Sequence, residues 1–193
     1  MKLSSPILLL SFVATAVAHG VVTTPTPRAL GPANLAACGS VVNTILKADK
    51  YGPIENSIIS PGPTYNATAC HVFFCRGYQF ADNVNNTRVY APGTAVHFLV
   101  DMEAHHTGWA NVSVVNLATQ TPIARLFTWP VYANDTLGPP DWPKNETDFS
   151  VTIPDLGKQC ATAGQCAIQW WWWGSQVKQT YESCVDFTQV RSG

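Results

Sequence analysis

Three places in this chain put nitrogen and oxygen donors where they could meet a metal. The first is His19, which stands directly behind Ala16-Val17-Ala18. Upstream lie Lys2 and an apolar run from Ile7 to Val13, so residues 1–18 read as a secretory leader cut after Ala18. Cleavage there would leave His19 with a free α-amine, of ordinary pKa about 8, beside its own imidazole. Once deprotonated, the amine closes a chelate ring with Nδ1, and one imidazole from elsewhere completes a three-nitrogen set. Amine and imidazole nitrogens in a planar arrangement suit Cu(II), which also heads the divalent affinity order.

The second place is His105-His106, within DMEAHHTGWANVSVV. Adjacent side chains on a strand face opposite ways, so one of the two is expected to reach a shared metal. The residues alone do not say which, and taken by itself such a pair is more often surface or core than ligand. His71 and His97 are blander, His97 standing inside an apolar strand. The third place is QVKQTYESCVDF, where Gln179, Tyr181 and Cys184 form a Gln-x-Tyr-x-x-Cys pattern. Gln179 and Tyr181 share one strand face under the period of two. Beside a metal that face offers an axial phenol and an amide able to hydrogen-bond an oxygen co-substrate. Away from one it is an ordinary strand with a buried tyrosine and a disulfide.

The elements that must position these groups are mostly strands. β-Branched and aromatic residues recur at Val96–Val100, Val112–Val115, Ile123–Thr128, Phe149–Ile153, Ala167–Trp173 and Tyr181–Phe187. Clusters such as PGPTYN, ANDTLGPPDWPKN and PDLGK separate them, the pattern of an all-β sandwich or barrel. One helix is expected, Ala33–Ala48, weakened by Gly39, Val41 and Val42. The tetrad Trp170–Trp173 alternates faces on a strand, so at most two of its rings share a surface and most of it is expected in the core. A stacking platform for sugars is the sharper alternative, with Trp109, Trp129, Tyr132 and Trp142 as other candidates.

Residues 19–193 suit one domain with a single core. Without Lys2, the eleven Lys and Arg fall to ten against twelve Asp and Glu, which gives no electrostatic footprint for nucleic acid or an anionic membrane. No segment after the leader approaches the length of a membrane span. Low charge with many Trp, Tyr and neutral polar residues fits a secreted protein that meets neutral glycans. Six cysteines behind a secretion signal imply three disulfides. Their spacing favours Cys70–Cys75 and Cys160–Cys166, leaving Cys38 to tie to Cys184; a zinc site at Cys70, His71 and Cys75 is the rival reading of CHVFFC. Sequons stand at Asn66, Asn85, Asn111, Asn134 and Asn145, of which Asn111 lies in a strand near the histidines and is expected to stay unmodified.

With HG behind the leader, AHHTGW in the middle and QTYESC near the end, the sequence resembles the lytic polysaccharide monooxygenases, in particular their chitin-binding type. The resemblance spans almost all of residues 19–193. It implies an immunoglobulin or fibronectin-III-like β-sandwich with long loops and a short N-terminal helical segment. One type 2 copper ion would be held by the His19 amine and Nδ1 and by Nε2 of a second histidine. The family places that histidine just before x-Gly with alanine two residues upstream; His106 fits, with Ala104 and Gly108 around it, and His105 does not. Carried over in the same way, Tyr181 takes the axial position and Gln179 the place facing the oxygen co-substrate. The implied reaction is copper-dependent oxidative cleavage of a β-linked polysaccharide, chitin, cellulose or a related glycan, by a secreted monomer that uses O2 or H2O2 and an external electron donor. A continuation past Gly193 into a surface anchor is compatible with this. Asp101 and Glu103 flank the histidines, yet no carboxylate pair stands out as a hydrolytic one. Two other readings remain: a non-catalytic protein of the same histidine brace, for copper handling or glycan binding, and a β-sandwich adhesin whose N-terminal histidine is accidental.

Overall fold

Burial along the strands shows how the chain is layered in the computed structural model, which describes residues 19–190; the expected leader lies outside the described residues. The elements run β1 (His19–Thr24), α1 (Pro32–Ala48), α2 (Ala67–Cys70), β2 (Arg88–Tyr90), β3 (Ala95–Ala104), β4 (Gly108–Asn116), β5 (Thr121–Tyr132), β6 (Asp148–Thr152), β7 (Cys166–Gly174) and β8 (Gln179–Gln189). Two sheets form, β1-β3-β6 and β2-β8-β7-β4-β5. All pairings are antiparallel except β2 with β8. Val22, Val96, Phe98 and Val100 of the smaller sheet meet Val112, Val114, Ile168, Trp170, Trp172, Val185 and Phe187 of the larger one in a shared core. The fold is a β-sandwich, held by apolar burial between two faces.

All six expected strands are present as β3 to β8. The unpredicted β1 and β2 are edge elements whose partners, β3 and β8, lie far away in sequence. The expected helix also forms, one residue longer. Its first turn is capped from a distance, because the Asp82 carboxylate accepts from the backbone N–H of Ala33 and Asn34 at 2.8 Å each. Gly39 breaks it with φ 79°. Only glycine fits there, since a Cβ would meet Thr64 Oγ1 at 2.5 Å.

The disulfides correct the sequence reading. They are Cys38–Cys70, Cys75–Cys184 and Cys160–Cys166, so of the expected pairs only the last forms. Cys70 ends α2 under α1, with its Cα 4.6 Å from that of Cys38. The chain then reverses through left-handed His71, Cys75 and Arg76, at φ 47°, 50° and 61°, which delivers Cys75 to β8 instead. With every cysteine oxidised, the zinc reading of CHVFFC is removed.

Candidate metal centre

The residues singled out by chemistry converge on one end of the sandwich through a closed ring of contacts. His19 opens β1 and pairs across to Ala104, two residues before His106. Gly20 packs on Trp172, whose Cζ3 lies 3.4 Å from where a Cβ would stand. Trp172 stacks on Tyr181 with ring centroids 4.3 Å apart, and Tyr181 Oη donates to Gln179 Oε1 at 2.7 Å. Gln179 pairs with Gly174, and Gly174 faces the Cβ of His106. Close approach of the strands allows this. A side chain at Gly108 would overlap the carbonyl of Trp173 on the neighbouring strand.

The two adjacent histidines have different surroundings, but not through strand alternation as the sequence suggested: both stand in the irregular link, residues 105–107, between β3 and β4. His106 is buried beside Gly174. The His105 ring instead stacks on Trp142, 3.7 Å between centroids and 20° between planes. Burial lowers the His105 pKa, the Asp135 carboxylate opposes the shift and neighbouring His106 adds to it. Trp142 is fixed in turn by its Nε1–H donating to the carbonyl of Leu137 at 2.9 Å.

Sequence reasoning missed the residue that touches His19. Asp49, at the C-terminal end of α1, lies with Oδ2 2.9 Å from His19 Nε2. Its other oxygen accepts from the N–H groups of Tyr51 and Gly52, a turn that Asp-x-x-Gly does announce. What the pattern could not announce is that this turn reaches a histidine 30 residues upstream. Tyr181 is likewise surrounded by charge from this region. Burial first, then the carboxylates of Glu55 and Asp49, push its phenol well above the ordinary tyrosine value, with the Arg76 guanidinium opposing. The shift favours the neutral phenol.

This donor set fits a copper ion in one specific way. Among the described residues no three His, Cys, Asp or Glu side chains gather as a metal cluster. A metal at this end therefore needs a donor beyond the side chains of His19 and His106, and the α-amine of a processed His19 would supply it. Asp49 on Nε2 matches such a site, because a ligating imidazole normally donates its remaining ring N–H to a carboxylate or carbonyl.

The aromatic expectations divide. Trp170 and Trp172 are core, as are Trp129 and Tyr132, which removes the latter two as surface platforms. Trp171 and Trp173 point to the opposite face, where exposed Trp109 packs against Trp171 at 4.6 Å and 48°. The sequons at Asn66, Asn85 and Asn145 are exposed and Asn134 is half-buried. Asn111 is buried in β4 and accepts a hydrogen bond from Ser113 Oγ at 3.1 Å. Among the described residues no helix is long and apolar enough to cross a membrane.

A family model described as lytic polysaccharide mono-oxygenase, cellulose-degrading, matches residues 19–187. No curated protein matches the chain in sequence. Among solved structures, a chitin binding domain from Burkholderia pseudomallei is similar at 16% identity and a TM-score of 0.41, over 90% of this chain and 100% of that one. A lytic polysaccharide monooxygenase from Thermobia domestica in the Cu(I) state is similar at 16% identity and a TM-score of 0.41, over 89% of this chain and 98% of that one.

Proposed function

Matched by that model over residues 19–187, the chain belongs to the lytic polysaccharide mono-oxygenase family, and on that premise we propose that it is a secreted, copper-dependent enzyme that cleaves a β-linked polysaccharide by oxidation. The observation that carries the reading is the convergence of His19, His106, Gln179 and Tyr181 on one end of the sandwich. The matched span also begins at His19, the residue that leader cleavage would expose.

The His19 amine and Nδ1 together with His106 Nε2 would hold the copper, with Tyr181 beside it. Bound there, copper supplies the one-electron chemistry through which O2, with two electrons and two protons, or H2O2 alone, converts a C–H bond next to the glycosidic oxygen to C–OH and releases water. The protein's own groups set the surroundings for that chemistry. Tyr181, buried and un-ionised, brings a neutral oxygen rather than an anion. Gln179 accepts a hydrogen bond from the phenol through Oε1, which leaves its amide nitrogen as a donor toward an oxygen co-substrate. Trp172 fixes the Tyr181 ring by stacking.

Cellulose, named in the family's description, is the first substrate to test, with chitin and hemicellulose beside it. Copper-loaded protein beginning at His19, given ascorbate and O2 or H2O2, is expected to release oxidised oligosaccharides detectable by mass spectrometry. Absence of product from all three glycans would instead assign the copper to handling or glycan binding. For the ligands, His106→Ala is expected to abolish tight copper binding and His105→Ala to leave it; equal losses would overturn the assignment of His106. One extra residue before His19 is expected to weaken binding sharply, because an amide nitrogen replaces the amine.

A further inference from the structure

His19 is held by more than the strand it begins. Asp49 Oδ2 lies 2.9 Å from its Nε2, and the aspartate is itself fixed at both ends. Its backbone N–H bonds the carbonyl of Ile45 at 3.2 Å, and Oδ1 accepts from Tyr51 at 3.0 Å and Gly52 at 2.7 Å. The turn 49–52 is then anchored from three further sides. Buried Arg76 donates through Nη2 to the carbonyl of Asp49 at 2.7 Å and through Nη1 to that of Gly52 at 2.5 Å. Gly20 N–H donates to the carbonyl of Tyr51, and Tyr51 Oη donates to Asp101 Oδ2 on β3. A carboxylate held this firmly on one nitrogen of a histidine leaves the ring little choice of tautomer.

We infer that Asp49 is the positioning residue for His19, with Arg76 acting through it: the carboxylate takes Nε2–H, so the neutral imidazole presents its Nδ1 lone pair to the metal. The inference deepens the copper reading above and rests on it. Two consequences follow from the charge. An anion on the far nitrogen makes the ring a stronger donor, and it favours Cu(II) over the less charged Cu(I).

The test is Asp49→Asn in protein beginning at His19. Asparagine can keep Oδ1 for Tyr51 and Gly52 but turns an N–H toward Nε2, which moves the ring proton to Nδ1, the metal's atom. Cu(II) affinity is expected to fall about 10- to 100-fold. The Cu(II)/Cu(I) potential is expected to move positive, and the Cu(II) electron paramagnetic resonance spectrum to change. In the copper-free state, nitrogen-15 NMR should find the Nε2–H tautomer of His19 in the wild type and a displacement toward Nδ1–H in the variant. Asp49→Glu, which keeps the carboxylate, is expected to recover part of the affinity. Thermal unfolding of the copper-free proteins separates this from a loss of fold.

Wild-type affinity, spectrum and tautomer in Asp49→Asn would overturn the inference while leaving the brace standing, provided His106→Ala still abolishes binding. Tight binding that survives His106→Ala would overturn the brace and this inference together. If Asp49→Asn does not fold, the wild-type tautomer decides: an Nδ1–H ring on His19 refutes the assignment.

Discussion

Two arginines from the segment between β1 and β2 meet two carboxylates on β8, and they do so in opposite ways. Arg28 and Asp186 form a closed pair, with Nε and Nη2 donating to the two carboxylate oxygens at 2.7 and 2.6 Å and Nη1 to the carbonyl of Tyr78. Arg76 and Glu182 are equally buried but do not pair through their side chains. The Arg76 guanidinium goes to the 49–52 turn, Glu182 Oε2 accepts from the Arg76 backbone N–H at 2.9 Å, and Arg76 Nε and Glu182 Oε1 have no hydrogen-bond partner among the described residues. Burial pushes the Glu182 carboxyl up to about 7, with Arg76 opposing the shift. A buried ion pair is tolerable when its hydrogen bonds are complete, and an incomplete one leaves a group whose charge is costly. The first pair is a clamp, whereas in the second the guanidinium is spent on holding the turn that contacts His19.

Four measurements would break or sharpen this contrast. Cys75–Cys184 lies between the two pairs and closes a separation of 109 residues. Removing it by Cys75→Ala with Cys184→Ala should cost about 4–5 kcal/mol in denaturant unfolding and loosen both arginines. Asp186→Asn, which leaves Arg28 a buried uncompensated charge, should cost about 3 kcal/mol, about 6–12 °C in melting temperature. A loss near zero would mean that the clamp is not one. Glu182→Gln should act in the opposite direction. The folded carboxyl titrates higher than the unfolded one, so the wild type loses stability as pH rises from 4.5 to about 7. The copper-free variant should therefore lack that loss and be more stable at pH 8 by up to about 3 kcal/mol. Parallel stability curves for the two proteins would place the Glu182 titration elsewhere. Smallest of all, His97→Ala breaks the exposed contact with Asp148, 2.7 Å on the surface, and should change stability by under about 0.5 kcal/mol.

Much of the fold was legible because its signals are local. Alternating or continuous runs of β-branched and aromatic residues marked β3 to β8, and a strand period of two divided the tryptophan tetrad into Trp170 and Trp172 inside and Trp171 and Trp173 outside. That period does not account for His105 and His106, which lie in the link between β3 and β4 rather than on a strand. The candidate ligands were legible through residue type, a histidine placed to become an N-terminus and a Gln-x-Tyr face. The disulfides were not, since Cys70 and Cys75 are parted by a left-handed reversal at His71, Cys75 and Arg76 that short spacing cannot reveal. Asp82 on α1, Asp186 on Arg28 and Asp49 on His19 were equally hidden, each contact joining residues at least 30 positions apart.

The sequence by itself determined β3 to β8, the helix, the alternation of faces in the tryptophan tetrad and the donors available to a metal, because hydrophobic period and side-chain chemistry act within a few residues. Only the tertiary structure decided which cysteines meet, which arginine finds its carboxylate and which carboxylate reaches the imidazole of His19. Those outcomes depend on how separate elements pack against one another, and the free energy of such packing is written in no single stretch of chain.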